Sequence, residues 1–252
     1  SAKPPISMTQ LDILIMAAGK GTRMKSRIPK VLQRLAGRPL LHHVLGQAAH
    51  LQARSATVIT GHGAMEVEAA TAGAASAVGS FDLQFVRQEP QLGTGHAVQQ
   101  AVPYLREDGT VVVLSGDVPL TQPDTLRALV AASQAVPGGQ LALLTVELPD
   151  PAGYGRILRA ADGSVAGIVE HKDASEAQRA ITEVYSGIMA VPARLLAPWL
   201  ARLTNDNAQG EYYLTDIVAM AVADGRGVAA HRIHDALQVA GVNSPAQLAE
   251  LE

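Results

Sequence analysis

The chain has 252 residues, a formal net charge of −3, 3% aromatic residues and no cysteine. That length suits one large α/β domain or two small ones, and the missing thiols exclude disulfides, thiol catalysis and Cys-ligated zinc. A near-neutral chain with so few stacking platforms is not a general nucleic-acid binder, and no apolar run reaches the roughly 18 residues of a membrane span.

In chain order, residues 1–10 (SAKPPISMTQ) lack the apolar core of a signal peptide and read as a disordered leader. The default expectation is a soluble cytoplasmic protein. Leu11–Gly19 is an apolar run ending in glycine, as in a buried strand. Pro39–Leu51 has helical apolar spacing, with Pro39 suited to the first turn. Thr57–His62 and Leu83–Gln88 read as strands, Thr94–Leu105 as a helix, Val111–Asp117 as a strand with a polar tip, Gln122–Ala135 as a helix and Leu141–Leu148 as a strand. This alternation predicts an α/β fold, a mostly parallel sheet with helices on both faces. The second half changes character. Tyr154–His171 has an Asp162-Gly163 turn between two β-rich runs and predicts a hairpin. Tyr185–Val191 follows as a strand, then helical patterns at Ala193–Leu203 and Tyr213–Ala223, then a strand at Val228–His234. No internal repeat or linker interrupts Leu11–Gly241, so one compact domain with two halves is the simplest arrangement.

The segment AAGKGTRMKSRIPK (17–30) is rich in glycine and positive charge at once. No Gly-Lys-Ser/Thr ends it, so it is not a P-loop. The dinucleotide fingerprint fails at Met24, and no acid follows at the distance needed to hold a ribose. From Ile13 to Met65 there is no Asp or Glu, yet Lys20, Arg23, Lys25, Arg27, Lys30, Arg34, Arg38 and Arg54 lie there, eight of the chain's 20 basic residues. Either this is a solvated basic face or a cradle for several phosphates, with backbone N–H groups at a strand tip and cationic side chains around them. QEPQLGTGHA (88–97) follows a strand and enters a helix, with Thr94 able to cap it; a purely structural turn uses similar residues. SGDVP (115–119) puts Asp117 at a strand tip, where it can hold magnesium or cap the next turn. The adjacent pair His42-His43 cannot share a helix face and reads as structural.

AAGKGTRM (17–24), PKVL (29–32), QLGTGHA (91–97), GDVPL (116–120), GYGRI (153–157), GIVEHKDA (167–174), NAQGEYYLTD (207–216) and GVN (241–243) occur together in this order. With them the chain resembles the uridyltransferase domain of the bifunctional N-acetylglucosamine-1-phosphate uridyltransferase/glucosamine-1-phosphate acetyltransferase family (GlmU). The resemblance implies a Rossmann-like nucleotidyltransferase fold with a sugar-side β-hairpin insertion, spanning residues 11–242, its nucleotide side about 11–120 and its sugar side about 121–242. Residues 243–252 would hold a metal-ligand Asn and the start of a connecting helix. It implies a Mg²⁺-dependent transfer of UMP from UTP to N-acetylglucosamine 1-phosphate, feeding peptidoglycan and lipopolysaccharide synthesis, with neither nucleic acid nor membrane as partner. Arg23 and Lys30 are then catalytic. Ala17, Ala18, Gly19, Gly21, Lys30, Gln88, Gly93 and Thr94 bind the nucleotide, Gly155, Glu170, Tyr185 and Thr215 the sugar, and Asp117 and Asn243 the metal. Many relatives carry Asn at the position of Tyr185, whose hydroxyl can still donate a hydrogen bond; some carry Tyr at the position of Ser115. No hexapeptide repeat of the family's acetyltransferase β-helix occurs in this sequence. Uridyltransferase activity without acetyltransferase activity is therefore expected, and the family's β-helix trimer is not. The alternatives are a transferase for another sugar 1-phosphate such as glucose 1-phosphate, or a non-catalytic nucleotide-sugar binding module.

Overall fold

The computed structural model describes residues 10–19, 27–74, 81–242 and 244–252. The first strand, β1 (Leu11–Ala17), shows why the early sequence lacks polar alternation. Ile13 and Ile15 pack into one apolar cluster and Leu14 into another, on opposite faces. Both faces of the sheet are covered, so both parities must be apolar. The same split recurs in β6 (Thr110–Ser115) and β7 (Leu141–Glu147): Val112, Leu114, Ala142 and Leu144 face one way, Val111, Val113, Leu141 and Leu143 the other. Helices α1 (Leu40–His50), α2 (Ala64–Ala72) and α4 (Pro123–Gln134) cover the first face through side chains such as Leu41, Val44, Val67, Leu126 and Leu129. Helices α3 (Thr94–Ala101), α6 (Ala193–Ala201) and α7 (Asp216–Ala223) cover the second through Val98, Leu196, Trp199, Ile217 and Val218. Each fully buried aliphatic side chain contributes roughly 1.5–3 kcal/mol, so the two aliphatic clusters need few aromatics.

The remaining sheet strands are β4 (Ser55–Thr60), β5 (Asp82–Arg87), β10 (Glu183–Pro192) and β11 (Val228–Ile233), in the order β11-β7-β10-β6-β1-β4-β5. All are parallel to their neighbours except β10, which runs against both β6 and β7. The reason is the expected hairpin, β8 (Arg156–Arg159) and β9 (Val165–Val169). The chain leaves β7 at Glu147, makes the hairpin, and re-enters at Glu183 directly opposite Glu147. A strand that starts where its neighbour ends must run antiparallel. Near Tyr185 the β10–β7 register shifts: Tyr185 faces Thr145 but Met189 faces Leu143. Gly187, at φ +89, sits in this bulge.

Several boundaries differ from the sequence reading. The helix expected to reach Leu105 ends at Ala101 and tightens into a 3-10 turn at Val102–Tyr104, because Pro103 has no N–H for the α ladder. Pro39 is not inside α1 but caps it, paired with Arg34 in a short ladder of β2 (Arg34–Leu35) and β3 (Arg38–Pro39). The helix expected from Tyr213 begins at Asp216. The sequence reading had no counterpart to α2. A short α5 (Glu176–Arg179) carries a capping box from Ser175 and Gln178, and α8 (Pro245–Leu251) begins at a Ser244 cap. Of the supposed leader, residues 1–9 lie outside the described residues, but Gln10 is tied to the domain, its carbonyl accepting from Thr110 N at 3.0 Å. No helix among the described residues is long and apolar enough to cross a membrane.

Candidate active site

The parallel strands β1, β4, β5 and β6 all end at one edge of the sheet, where open α/β sheets bind ligands. Their tips, Ala17–Gly19, Gly61–His62, Gln88–Gly93 and Ser115–Asp117, surround a cavity of about 950 Å³. A second cavity of about 450 Å³ adjoins it, walled by the β10 bulge, the hairpin and the segment before α7. Met16, Thr94, Ser115 and Asp117 line both.

In the larger cavity Lys30 and Asp117 form an ion pair, Nζ to Oδ2 3.0 Å, with side chains 17% and 19% exposed. Lys30 opens a 3-10 turn behind Pro29, and Asp117 is fixed by the backbone, its carbonyl accepting from Val242 N at 3.0 Å. The loop at Gln88 is stitched to the segment before α7. Tyr212 N donates to Leu92 O, Gly95 N donates to Tyr212 O, and Leu214 N donates to Thr94 Oγ1 at 2.9 Å. Thr94 is therefore not the helix cap; Gly93 is, and the threonine hydroxyl serves the neighbouring segment. Gly93 has φ +115, and a Cβ there would lie 2.6 Å from Tyr212 O, so no side chain fits that crossing. The Ala18 carbonyl accepts from Gln91 Nε2 and from His62 N, joining the first loop to the β4 and β5 tips.

In the smaller cavity Glu170 accepts from the Thr215 hydroxyl at 2.8 Å. Burial pushes the Glu170 carboxyl above its ordinary value; the Thr215 bond opposes this, and Asp216 and Asp173 add to it. Gly155 O accepts from Tyr185 N at 2.9 Å, which fixes the hairpin to β10. The Tyr185 hydroxyl is buried in this wall and has no hydrogen-bond partner. Burial, with Glu170 nearby, raises its pKa.

Of the residues singled out from sequence, Ala17, Ala18, Gly19, Lys30, Gln88, Gly93, Thr94 and Asp117 line the larger cavity, and Gly155, Glu170, Tyr185, Thr215 and again Asp117 and Thr94 the smaller. Gly21, Arg23 and Asn243 lie outside the described residues. The acid-free segment is not one basic face. Arg54 sits at the opposite end of the strands, bonded to Asp12 and Asp108, while Arg34 and Arg38 donate to the Gly37 and His42 carbonyls. His43 bonds Leu35 O at 2.8 Å, and His42 is half-buried with its Nε2 enclosed; neither lines the cavities. Cavity residues that sequence reasoning missed are His62, Arg87, Glu89, Tyr154, Ser186 and Glu211. Signals were available for four of them: His62 ends a predicted strand, and Glu89, Tyr154 and Glu211 lie inside the motifs QEPQLGTGHA, GYGRI and NAQGEYYLTD. Among the described residues no cluster of three or more His, Cys, Asp or Glu could hold a metal ion. Asp117 supplies one carboxylate beside both cavities, and magnesium characteristically takes one or two carboxylates with water and phosphate oxygens. The donor set thus fits that ion.

Parallel strand tips around a Lys–Asp pair make the carboxyl edge of this sheet a candidate ligand site, and similarity to known proteins gives its class. Residues 13–183 match the model of the MobA-like NTP transferase domain, and the chain belongs to that family. It is 79% identical over 245 residues to the bifunctional protein GlmU of Acidovorax sp. (strain JS42), covering 97% of this chain and 51% of that protein. It is 80% identical to that of Acidovorax ebreus (strain TPSY) with the same coverage, and 54% identical to that of Alkalilimnicola ehrlichii, covering 96% of this chain and 50% of the relative. The chain thus spans about half the length of the curated relatives it matches. A crystal structure of UDP-glucose pyrophosphorylase complexed with UDP-glucose shares the fold, with TM-score 0.76 at 17% identity over 96% of this chain and 97% of the other.

Proposed function

We propose that this chain transfers UMP from UTP to N-acetylglucosamine 1-phosphate, releasing UDP-N-acetylglucosamine and pyrophosphate. The observation that carries the reading is the pair of cavities meeting at Asp117, with Lys30 on the nucleotide side, in a chain so similar to the GlmU proteins. A sugar-phosphate oxygen attacks the α-phosphorus; that P–O bond forms as the bond to pyrophosphate breaks. The attacking oxygen is already anionic near neutral pH, so no general base is needed. The barrier lies in bringing two anions together, and positioning with charge neutralisation lowers it.

Each residue then has a task. Gln88 reads an edge of the base, and the Ala17–Gly19 backbone approaches the phosphates. Lys30 neutralises charge developing on the transferred group. Gly155, Glu170, Tyr185 and Thr215 hold the sugar. Gly21 and Arg23 complete the phosphate loop, and Asn243 joins Asp117 as a metal ligand. Mg²⁺ bound there supplies charge neutralisation of phosphate oxygens. The test is pyrophosphate release with UTP and Mg²⁺, comparing N-acetylglucosamine 1-phosphate with glucose 1-phosphate. Preference for the acetamido sugar supports the reading. Preference for glucose 1-phosphate keeps the chemistry but moves the substrate, and no release with either from folded protein refutes it.

A further inference from the structure

Gln88 carries an ambiguity that its surroundings resolve. A side-chain amide presents a donor on one side and an acceptor on the other, and only its fixed partners decide which faces a ligand. Gln88 is 4% exposed, follows β5 directly, and has its backbone N–H on Thr60 O at 2.8 Å. Its Nε2 lies 3.0 Å from Gly93 O and 3.0 Å from His96 Nδ1. Gly93 O can only accept, so nitrogen must face it. That carbonyl already accepts from Ala97 N at 3.0 Å as the first bond of α3, which weakens its hold on a second donor. His96 Nδ1 takes the other amide hydrogen, and for it to accept, the ring proton must sit on Nε2. Both amide hydrogens are then used. Oε1, which no described residue engages, is the atom left for a ligand in the larger cavity.

We propose that His96 is a positioning residue that holds the Gln88 amide oxygen toward the nucleotide base, so that the site selects uracil over cytosine. The inference rests on the reading that the larger cavity takes the base of UTP. Uracil carries an N–H at ring position 3, which an acceptor oxygen pairs. Cytosine carries a bare nitrogen there, and two lone pairs would face one another in a partly buried site. Sites built around a buried hydrogen bond reject the analogue that cannot make it far more strongly than apolar pockets reject a change of size. Helix geometry supplies the arrangement. Gly93 is the cap and His96 the third residue of α3, which sets both the cap carbonyl and Nδ1 within 3.0 Å of the Gln88 amide nitrogen.

The experiment compares UTP and CTP, by calorimetric binding and by kcat/KM in pyrophosphate release, for wild type, H96L and H96N, with thermal melts to confirm folding. Leucine removes the acceptor. Asparagine places Oδ1 near the position of Nδ1 and restores it. H96L is expected to lower the UTP/CTP ratio by about tenfold, the scale of one buried hydrogen bond, while H96N keeps the ratio within about twofold of wild type. A purely structural histidine would change stability in both variants and the ratio in neither. H96L with the wild-type ratio, or H96N losing it as fully as H96L, overturns the inference and leaves the functional reading standing. Wild type binding both nucleotides equally overturns both. If H96L fails to fold, H96A reads the same ratio.

Discussion

Glu170→Gln separates what the smaller cavity costs the fold from what it gives the reaction. The carboxyl is largely buried, and its pKa is raised chiefly by that burial despite the Thr215 hydrogen bond. The folded protein therefore takes up a proton here more readily than the unfolded chain, whose value stays near 4.5. The stabilising contribution is full below that pH and is lost as pH rises through the raised folded value. At neutral pH the ionised form is a standing cost. Glutamine has the same shape, keeps an oxygen for the Thr215 hydroxyl, and carries no charge to desolvate. Its expected gain is about 1 kcal/mol at pH 8, or about 2–4 °C in Tm for a chain of this size, shrinking toward nothing at pH 5. The functional effect has the opposite sign. Hydrogen bonds to a carboxylate contribute about 1–1.5 kcal/mol more than those to an amide, so kcat/KM for the sugar phosphate should fall about tenfold. Paired melts at pH 5 and pH 8 with steady-state kinetics test both. A variant less stable than wild type at pH 8, or a stability gap that does not grow with pH, refutes the reasoning.

Lys30→Ala should fold normally, since its partner Asp117 is partly solvated, and should lower turnover about 10²–10³-fold, the scale of losing a group that stabilises transition-state charge; near-normal turnover removes Lys30 from the mechanism. Gly93→Ala forces a Cβ against Tyr212 O at a left-handed backbone and should cost about 1–3 kcal/mol in denaturant unfolding, with weaker UTP binding. Glu183 is a structural test that lines neither cavity. It is bonded to Thr145, Arg159 and Arg232. Burial pushes its pKa up, but Arg159, Thr145 and Arg232 outweigh that and hold it below the ordinary 4.5. Its contribution is present above that pH and is lost as pH falls through the folded value. Glu183→Ala should cost about 2 kcal/mol, less than a fully buried pair, because both arginines can rehydrate. The loss should appear in melts at pH 7 and fade in acid.

The fold was legible where local pattern and burial agree. Aliphatic runs that cannot be read as one-sided belong to strands covered on both faces, as in β1, β6 and β7. Turn chemistry fixed the hairpin: Asp162 accepts from Ser164 N, and Gly163 takes the left-handed backbone. The direction of β10 was not legible, because nothing in Glu183–Pro192 itself encodes it; the connection through the hairpin does. Helix α2 escaped notice for a related reason. Its sequence AMEVEAATA has no amphipathic stripe to detect, and it rests on the sheet through little more than Val67. Not every charge of the basic segment belongs to the loop at the ligand edge. Charges adjacent in sequence diverge in space, and Arg54 serves the far edge of the sheet. The Gln88 contacts that make His96 informative join residues five and eight apart through side-chain geometry, which spacing alone does not supply.

The reversed strand explains why a second cavity exists beside the first. A parallel strand reaches the ligand edge only at its last residues. A strand that begins at that edge brings its early residues there, and β10 does so with Tyr185 and Ser186. The bulge then spends four steps on β10 against two on β7 before pairing resumes at Met189. Two extra residues preserve parity, so Tyr185 and Met189 stay on the same face of the sheet, in the same apolar cluster. Within the bulge, Gly187 leaves room beside Ser115, where a Cβ would lie 3.1 Å from the serine hydroxyl. Deleting Gly187 alone would leave one extra residue. Strand side chains alternate faces, so such a change would set the Tyr185 side of the strand against the Met189 side. Either the tyrosine leaves the cavity or the core strand turns its apolar residues outward. The wall of the smaller cavity is therefore fixed by the register of the central sheet.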